Sequence, residues 1–208
     1  MERGIITILS GFSGAGKGTV VKNLLEKHKE YKLSISATTR APRAGEENGV
    51  QYFFKTVEEF EEMIRKDELM EYAKYVDNYY GTPMAYVNEQ LDLGNNVLLE
   101  IEIQGALQIK EKYPETVLVF LVPPSVEELE RRLVGRGTET AEVIQGRLER
   151  AVEEARYMNA YDYVLVNDDL DTCVENFHHI IETVRSESSR MTATIENMQK
   201  SLAEKYGK

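Results

Sequence analysis

The chain of 208 residues is acidic, with 36 Asp and Glu against 25 Lys and Arg and a formal net charge of −11, and 42% of it is hydrophobic. The charge disfavours a nucleic-acid partner, no apolar run approaches the roughly 18 residues that cross a membrane, and a single cysteine, Cys173, excludes an internal disulfide or thiolate metal cluster. The N-terminus enters a strand pattern directly after Met1-Glu-Arg, which leaves no space for a signal peptide, so we expect a cytoplasmic protein with one α/β core.

A glycine-rich loop follows the first predicted strand, Ile5–Ser10, and precedes a predicted helix. The loop consists of Gly11, Phe12, Ser13, Gly14, Ala15, Gly16, Lys17, Gly18 and Thr19. Such glycines let backbone N–H groups converge on a phosphate, the helix N-terminus adds its dipole, and a lysine reaches the outer phosphates. A Rossmann loop needs the spacing G-x-G-x-x-G, which is missing here, and the remaining alternative is a glycine-rich turn with an incidental lysine. The flanking strand and helix favour a nucleoside triphosphate site.

The residue after Lys17 departs from the usual phosphate-binding loop, in which a hydroxyl that holds Mg²⁺ follows the lysine. Gly18 stands at that position, and the hydroxyl of Thr19 comes one residue later. Mg²⁺ keeps several waters readily. The sequence therefore leaves open whether Thr19, water or the substrate phosphates hold the metal.

The stretch from Arg40 to Gly94 interrupts an otherwise regular alternation of strand and helix patterns, which is typical of a parallel sheet with covering helices. It contains a helix whose capping box is Thr56 with Glu59. Strands are predicted here at 50–54 and 69–76, a turn at 77–78, and helices at 56–66 and 83–93. We predict a small α+β insertion, at about 36–94, that holds a second substrate. Further core strands are predicted at 33–37, 97–101, 117–122 and 163–167.

A predicted helical hairpin follows Pro123-Pro124, at about residues 125–157. Its first helix begins with a second capping box, Ser125 with Glu128, and its second helix carries Arg147 and Arg150. A Gly-Arg-Gly turn that ends at Gly137 joins the two helices as a hinge. The pattern indicates a mobile, arginine-rich lid, with a solvated hairpin as the alternative.

The C-terminal stretch from Leu170 has no proline and no glycine before Gly207. One helix of that length would span about 50 Å and exceed the width of the core. Either the helix bends back near Ser186–Ser189 or its end packs on another subunit. The protein is accordingly expected to be a monomer or a homodimer.

Two acids, Glu100 and Glu102, follow an aliphatic strand pattern. Strand alternation would place them on one face, and the carboxyl end of a parallel strand opens toward the ligand crevice. Glu102 is therefore a candidate for binding Mg²⁺ waters or a sugar hydroxyl, whereas an internal ion pair is the preferred interpretation for Glu100.

Two arginines, Arg40 and Arg43, flank a proline in a predicted loop. Planar guanidinium groups suit a phosphate monoester, and Tyr52 and Tyr80 offer phenolic donors to the same oxygens. Taken alone, two loop arginines are more often a pair of surface charges, so the wider sequence has to decide.

Several separated motifs occur in one order along the chain. They are Ser34-Ile-Ser-Ala-Thr-Thr-Arg40-Ala-Pro-Arg43-Ala-Gly-Glu46, Asn48-Gly-Val-Gln-Tyr52, Asn78-Tyr-Tyr-Gly-Thr82, Leu99-Glu-Ile-Glu-Ile-Gln-Gly105, Arg132-Leu-Val-Gly-Arg-Gly-Thr138 and Val166-Asn-Asp-Asp169. In these motifs, and over about residues 3–184, the chain resembles the guanylate kinases.

The resemblance implies a P-loop NTPase fold, α/β in class, with a three-layer core around a parallel sheet, a small α+β GMP-binding insertion and a helical lid. This domain would span residues 1–184, and residues 185–208 would form a helical tail. The implied activity is ATP-dependent phosphorylation of GMP and dGMP with Mg²⁺. The partners would be small nucleotides, with no nucleic acid and no membrane.

The resemblance also assigns roles to individual positions. The GMP site would comprise Ser36, Arg40, Arg43, Glu46, Tyr52, Glu71, Tyr80, Thr82 and Glu102. ATP would contact the loop residues 11–19 together with Arg132 and Asn167. Lys17, Arg136 and Arg147 would stabilise the moving phosphoryl group, and Thr19 and Glu102 would hold Mg²⁺, the latter through water.

The chemistry of guanine agrees with the role implied for Glu71. Guanine presents N1–H and N2–H₂ side by side, which one carboxylate accepts in a fork, whereas adenine would leave that carboxylate facing an acceptor. The alternatives are another nucleoside monophosphate kinase, against which Glu71 argues, and a non-catalytic guanylate-kinase-like module that binds proteins. The intact glycines and Lys17 of the loop argue against the second.

Overall fold

Five strands build the central sheet of the protein, whose computed structural model describes residues 3–75, 77–135 and 140–207. In chain order, the strands are β1 (Ile6–Gly11), β2 (Tyr31–Leu33), β3 (Ala37–Thr38), β4 (Phe53–Phe54), β5 (Leu69–Tyr75), β6 (Asn78–Pro83), β7 (Asn96–Leu99), β8 (Val117–Val122) and β9 (Tyr163–Val166). The helices are α1 (Lys17–Lys27), α2 (Val57–Arg65), α3 (Met84–Asp92), α4 (Ile103–Lys112), α5 (Val126–Val134), α6 (Ala141–Ala155), α7 (Leu170–Arg185) and α8 (Thr192–Tyr206), with a 3₁₀ turn at Met158–Ala160. The sheet order is β2-β7-β1-β8-β9, with every pair parallel.

Helices cover both faces of this sheet, which explains why its strands are almost continuously apolar. Leu9 and Val119 face α1 and α7, while Ile8 and Phe120 face α3 and α4. All four side chains are fully buried. Burial of one such side chain contributes about 1.5–3 kcal/mol. The three-layer α/β core predicted from the sequence is confirmed.

The insertion forms a second, four-stranded sheet of order β4-β3-β6-β5. Its small core centres on Phe60 of α2, which is fully buried and stacks on Tyr79 with ring centroids 5.2 Å apart. The predicted capping box of α2 is confirmed, because the Thr56 side chain accepts from the Glu59 N–H and the Glu59 carboxylate accepts from the Thr56 N–H. The insertion is thus a folded α+β unit, as expected.

The sequence-based boundaries inside the insertion were partly wrong. The strand predicted at 33–37 is split between β2 of the central sheet and β3 of the small sheet, and the strand predicted at 50–54 shortens to Phe53–Phe54. The turn at Asp77 is confirmed by its positive φ of 65°, but the residues after it form β6. Antiparallel pairing with β5 stabilises β6, and a single-sequence pattern carries no information on such a partner.

The helices of the predicted lid are α5 and α6, and the hinge residues Arg136 and Gly137 lie outside the described residues. At the start of α5 the Ser125 side chain accepts from the Glu128 N–H, but the Glu128 carboxylate instead binds two arginines, Arg131 and Arg132. The second predicted capping box is therefore only half formed. The Glu128 carboxylate instead helps to orient Arg132.

The C-terminal stretch contains two helices, since α7 ends at Arg185 and α8 begins at Thr192. The break lies at the position that one of the two alternatives, a bend near residues 186–189, requires. Arg190 in the connection donates to the carbonyl of Glu115 over 2.5 Å. None of the residues of α8 is buried. Among the described residues, no helix is long and apolar enough to span a membrane.

Candidate active site

The glycine-rich loop runs from the end of β1 into α1, as the sequence predicts. Gly16 is the N-cap of α1 with a φ of 96°, and no side chain caps this helix end. A methyl group on Gly16 would also come within 2.6 Å of the Asn167 side-chain nitrogen. The uncapped N–H groups of the first turn are therefore available to an anion, and only glycine suits the turn that presents them.

Lys17 lies back across the loop that precedes it. Its Nζ donates to the carbonyls of Gly11, over 2.6 Å, and Phe12, over 3.3 Å. Burial lowers the pKa of Lys17, and the nearby carboxylates, among them Glu100 and Glu154, oppose that shift. A phosphate that entered the loop would offer this ammonium a stronger, charge-assisted partner than two neutral carbonyls.

Two side chains implied as ATP contacts brace the back of the loop. The Asn167 amide donates to the Ala15 carbonyl over 2.8 Å. Arg132 donates to the same carbonyl over 3.3 Å and to the Asn167 carbonyl over 2.9 Å. On the open side, Arg147 of α6 donates to the Ser13 hydroxyl. The lid helix thus contacts the triphosphate loop directly.

An arginine of the insertion is held in place by an acid. Arg40 Nη2 donates to Glu46 Oε1 over 2.9 Å, and the other oxygen of Glu46 accepts from the Arg43 N–H over 2.7 Å. The Arg40 guanidinium also stands 5.3 Å from the ring centroid of Tyr52, whose ring meets that of Tyr80 edge-on at 6.1 Å. Arg40, Tyr52 and Tyr80 are therefore brought together, while Arg43 lies next to them with an exposed side chain.

Glu71 and Thr82 form a buried pair in the small sheet. The Thr82 hydroxyl donates to Glu71 Oε1 over 2.8 Å. Register shifts between Leu69 and Tyr72 mark a bulge in β5, and such a bulge re-aims the side chains it contains. Burial raises the pKa of Glu71, although the bonds from Thr82 oppose this shift. The predicted partner Ser36 contributes its carbonyl to Phe53 of the neighbouring strand.

Glu100 and Glu102 lie beyond the end of β7, so the argument from strand alternation was wrong. Glu102 is instead the N-cap residue of α4. Both acids nevertheless line one pocket with Lys17 and Tyr52. Glu100 forms no direct ion pair within the described part of the chain, contrary to expectation. Burial raises the pKa of Glu100, and the nearby charge of Lys17 opposes that shift.

Glu154 of α6 is not among the site residues predicted from the sequence. Its carboxylate lines the pocket of Lys17 and Glu102, and burial raises its pKa. Arg150 binds both Glu154, over 3.0 Å, and Glu102, over 2.6 Å. The spacing of Arg147, Arg150 and Glu154 by three and four residues puts them on one helix face, and this pattern could have identified the position.

The remaining predicted positions divide into those that the structure describes and one that it does not. Thr19 and Gly18 are exposed in the first turn of α1, where a ligand has access. The Phe12 ring anchors the loop by an edge-on contact with Phe120, at 5.1 Å between centroids. Arg136 lies outside the described residues.

The fold combines a parallel sheet, a phosphate-binding loop at the end of its central strand, an inserted α+β unit and a helical lid. This combination defines a P-loop nucleotide kinase. The sequence model described as guanylate kinase matches residues 3–184. The chain is 56% identical to guanylate kinase of Lactococcus lactis subsp. lactis over 87% of its length and 88% of the relative. It is 52% identical to that of Streptococcus thermophilus over 95% of both chains.

A crystal structure of guanylate kinase from Anaplasma phagocytophilum is similar in fold. The TM-score is 0.73 and the sequence identity 31%, with 100% of this chain and 97% of the other covered. The chain belongs to the guanylate kinase family.

Proposed function

We propose that the protein transfers the γ-phosphoryl group of ATP to GMP or dGMP, which yields ADP and GDP or dGDP. The observation that carries the choice of acceptor is the buried Glu71–Thr82 pair in the insertion. An ionised carboxylate there accepts both N1–H and N2–H of guanine. Adenine would place an acceptor against it, and such a mismatch is costly in a desolvated pocket.

The acceptor phosphate is bound by the charged part of the insertion. Arg40 and Arg43 supply guanidinium donors, Tyr52 and Tyr80 supply phenolic donors, and Glu46 orients Arg40. Glu46 and Tyr52 already hold Arg40, so its side chain loses little conformational entropy when the phosphate binds.

The transfer itself needs positioning and charge neutralisation more than a base, because the attacking phosphate oxygen is already ionised. Lys17, Arg136 and Arg147 stabilise the charge on the moving group, and α5 and α6 exclude water from it. Arg132 and Asn167 fix the loop through the Ala15 carbonyl, and Asn167 would also contact ATP.

Oxygen donors of the triphosphate loop and of the pocket beside it suit a Mg²⁺ ion, a hard cation that prefers carboxylates, hydroxyls and water. Thr19 offers an exposed hydroxyl and Glu102 an exposed carboxylate. These two residues would hold the ion, with Glu102 acting through water. When bound, Mg²⁺ neutralises charge on the ATP phosphates.

We further propose that the protein acts in the cytoplasm on free nucleotides, as a monomer or a homodimer. The unit at 1–184 carries the activity, with the GMP-binding insertion at about 36–94 and the lid at about 125–157. None of the predicted site residues lies in the tail at 185–208.

A panel of acceptors tests the proposed function. ADP release with ATP and GMP, dGMP, AMP, UMP or CMP is followed in a coupled assay, and guanine nucleotides should be strongly preferred. Equal rates with AMP would contradict the assignment in favour of a broader nucleoside monophosphate kinase. Absence of any turnover, despite measurable nucleotide binding, would favour the non-catalytic alternative.

A further inference from the structure

Glu102 begins α4, but this helix does not hold the Glu102 side chain. Its backbone provides the N-cap of α4, but its side chain makes no capping hydrogen bond and is 72% exposed. Arg150 Nη2, reaching over from α6, donates to its Oε2 over 2.6 Å. The carboxylate implied to meet GMP or its metal is therefore oriented by a residue of the lid.

The guanidinium of Arg150 is itself anchored. Its Nε donates to Glu154 Oε1 over 3.0 Å, and the Glu154 side chain is only 13% exposed. Two nitrogens of the rigid Arg150 guanidinium thus bind two carboxylates. The carboxylate of Glu154 is nearly buried on α6, and that of Glu102 is exposed at the start of α4. A guanidinium suits this task because its donors have a fixed mutual geometry.

The same face of α6 reaches the other nucleotide site one turn earlier. Arg147 contacts the Ser13 hydroxyl of the triphosphate loop. Glu102, Glu154 and Lys17 line one pocket, so the bridge lies between the two sites. The position of α6 and the orientation of Glu102 are consequently linked through a single side chain.

We propose that Arg150 is a positioning residue that orients the Glu102 carboxylate for GMP binding and makes this orientation depend on the docking of α6. This inference rests on the proposed GMP kinase function. Its consequence is that GMP binding and lid docking favour each other, and that Arg150 affects GMP only by way of Glu102.

A double-mutant cycle of Arg150→Gln and Glu102→Gln tests this dependence. GMP binding is measured by calorimetry without ATP, and KM for GMP and kcat are measured in the coupled assay. Each single change should weaken GMP binding by roughly 3- to 10-fold, with a smaller effect on kcat. The double variant should be no weaker than Glu102→Gln alone, because the two residues act as one unit.

Two further variants control the cycle. Arg150→Lys keeps the charge but loses the rigid fork, so its KM for GMP should fall between those of the wild type and Arg150→Gln. Arg65→Gln removes an arginine that pairs with Glu62 on its own helix, α2, and should leave GMP binding unchanged.

Three results would overturn the inference. In the first, the losses of GMP affinity from the two single changes multiply in the double variant. In the second, Arg150→Gln leaves KM for GMP unchanged. In the third, Arg150→Gln still lowers kcat in the Glu102→Gln background. The last result would mean that Arg150 contacts the phosphoryl group itself. A wild-type protein that neither binds nor phosphorylates GMP would instead refute the proposed function, so the two failures are distinguishable.

Discussion

The two proposed nucleotide sites of this protein are built in different ways. The triphosphate loop consists of nine consecutive residues, from the last residue of β1 to the first turn of α1, and its proposed donors are mainly backbone N–H groups and Lys17. The acceptor site consists of side chains from several strands and loops of the small sheet, held by contacts such as Arg40–Glu46 and Glu71–Thr82. Backbone donors bind any triphosphate, whereas side chains select a base. A change in one site should therefore leave binding at the other largely intact.

The largest expected effect is that of Lys17→Ala, which removes the charged donor of the loop. Turnover should fall by about 10³-fold, on the scale of losing one preorganised donor at the transition state. GMP binding, measured by calorimetry, should change little. Lys22→Ala, on the exposed face of α1, serves as a matched control and should retain full turnover. Retained activity in Lys17→Ala would remove the lysine from the mechanism.

The converse change is Glu71→Gln in the acceptor site. GMP binding should weaken roughly 10- to 100-fold, since a charged hydrogen-bond partner contributes about 1.5–3 kcal/mol. Binding of an ATP analogue should stay intact, and calorimetry with each nucleotide measures both. An unchanged affinity for GMP would mean that guanine is read elsewhere, and a parallel loss for ATP would contradict the separation of the sites.

A pH series sharpens the comparison further, because burial raises the pKa of Glu71 above its ordinary value of 4.5. Guanine binding needs the ionised carboxylate, so KM for GMP should increase as the pH falls through this raised pKa, at a higher pH than for an exposed glutamate. The GMP phosphate also titrates, near pH 6. Glu71→Gln separates the two titrations. It should abolish only the part of the increase in KM at low pH that comes from protonation of Glu71. Identical pH profiles for both proteins would refute this role.

The smallest effect is expected from deleting the tail after Ser186, which belongs to neither site. The residues of α8 are not buried, so the melting temperature should shift by less than about 2 °C and both nucleotides should bind as before. Size-exclusion chromatography of both forms would reveal whether the tail mediates self-association. A large loss of activity would show that the tail supports a site.

The difference between the sites also explains how far the sequence could predict them. The triphosphate loop was found from local pattern alone, because its strand, glycines and helix are contiguous, and the structure confirms the order. The layered core followed from the alternation of apolar strands and helices in the same way. Features formed by contiguous residues can be predicted without knowing which distant segments they pair with.

The acceptor site depended on the resemblance to a family, since its residues meet only through non-local pairing. The strand β6 was missed because its stability comes from β5 and β3. The spacing of Glu154 from Arg147 and Arg150 places it on their face of α6, but that spacing does not show that Glu154 lines the pocket of Lys17, which is formed through non-local contacts. Glu102 lines the pocket of Lys17, but strand alternation does not place it there, because the strand before it ends earlier than predicted.

The helix α4 approaches Glu71, the acid that we propose reads guanine, at Gly105. A methyl group on Gly105 would meet Glu71 Oε2 at 3.0 Å and Ile101 Cδ1 at 3.3 Å. In the proposed site, α4 of the central core therefore lies directly behind the Glu71 carboxylate, and the absence of a side chain at position 105 leaves room for that carboxylate. Acceptor range could accordingly be altered by reshaping the core while every base-reading side chain is kept.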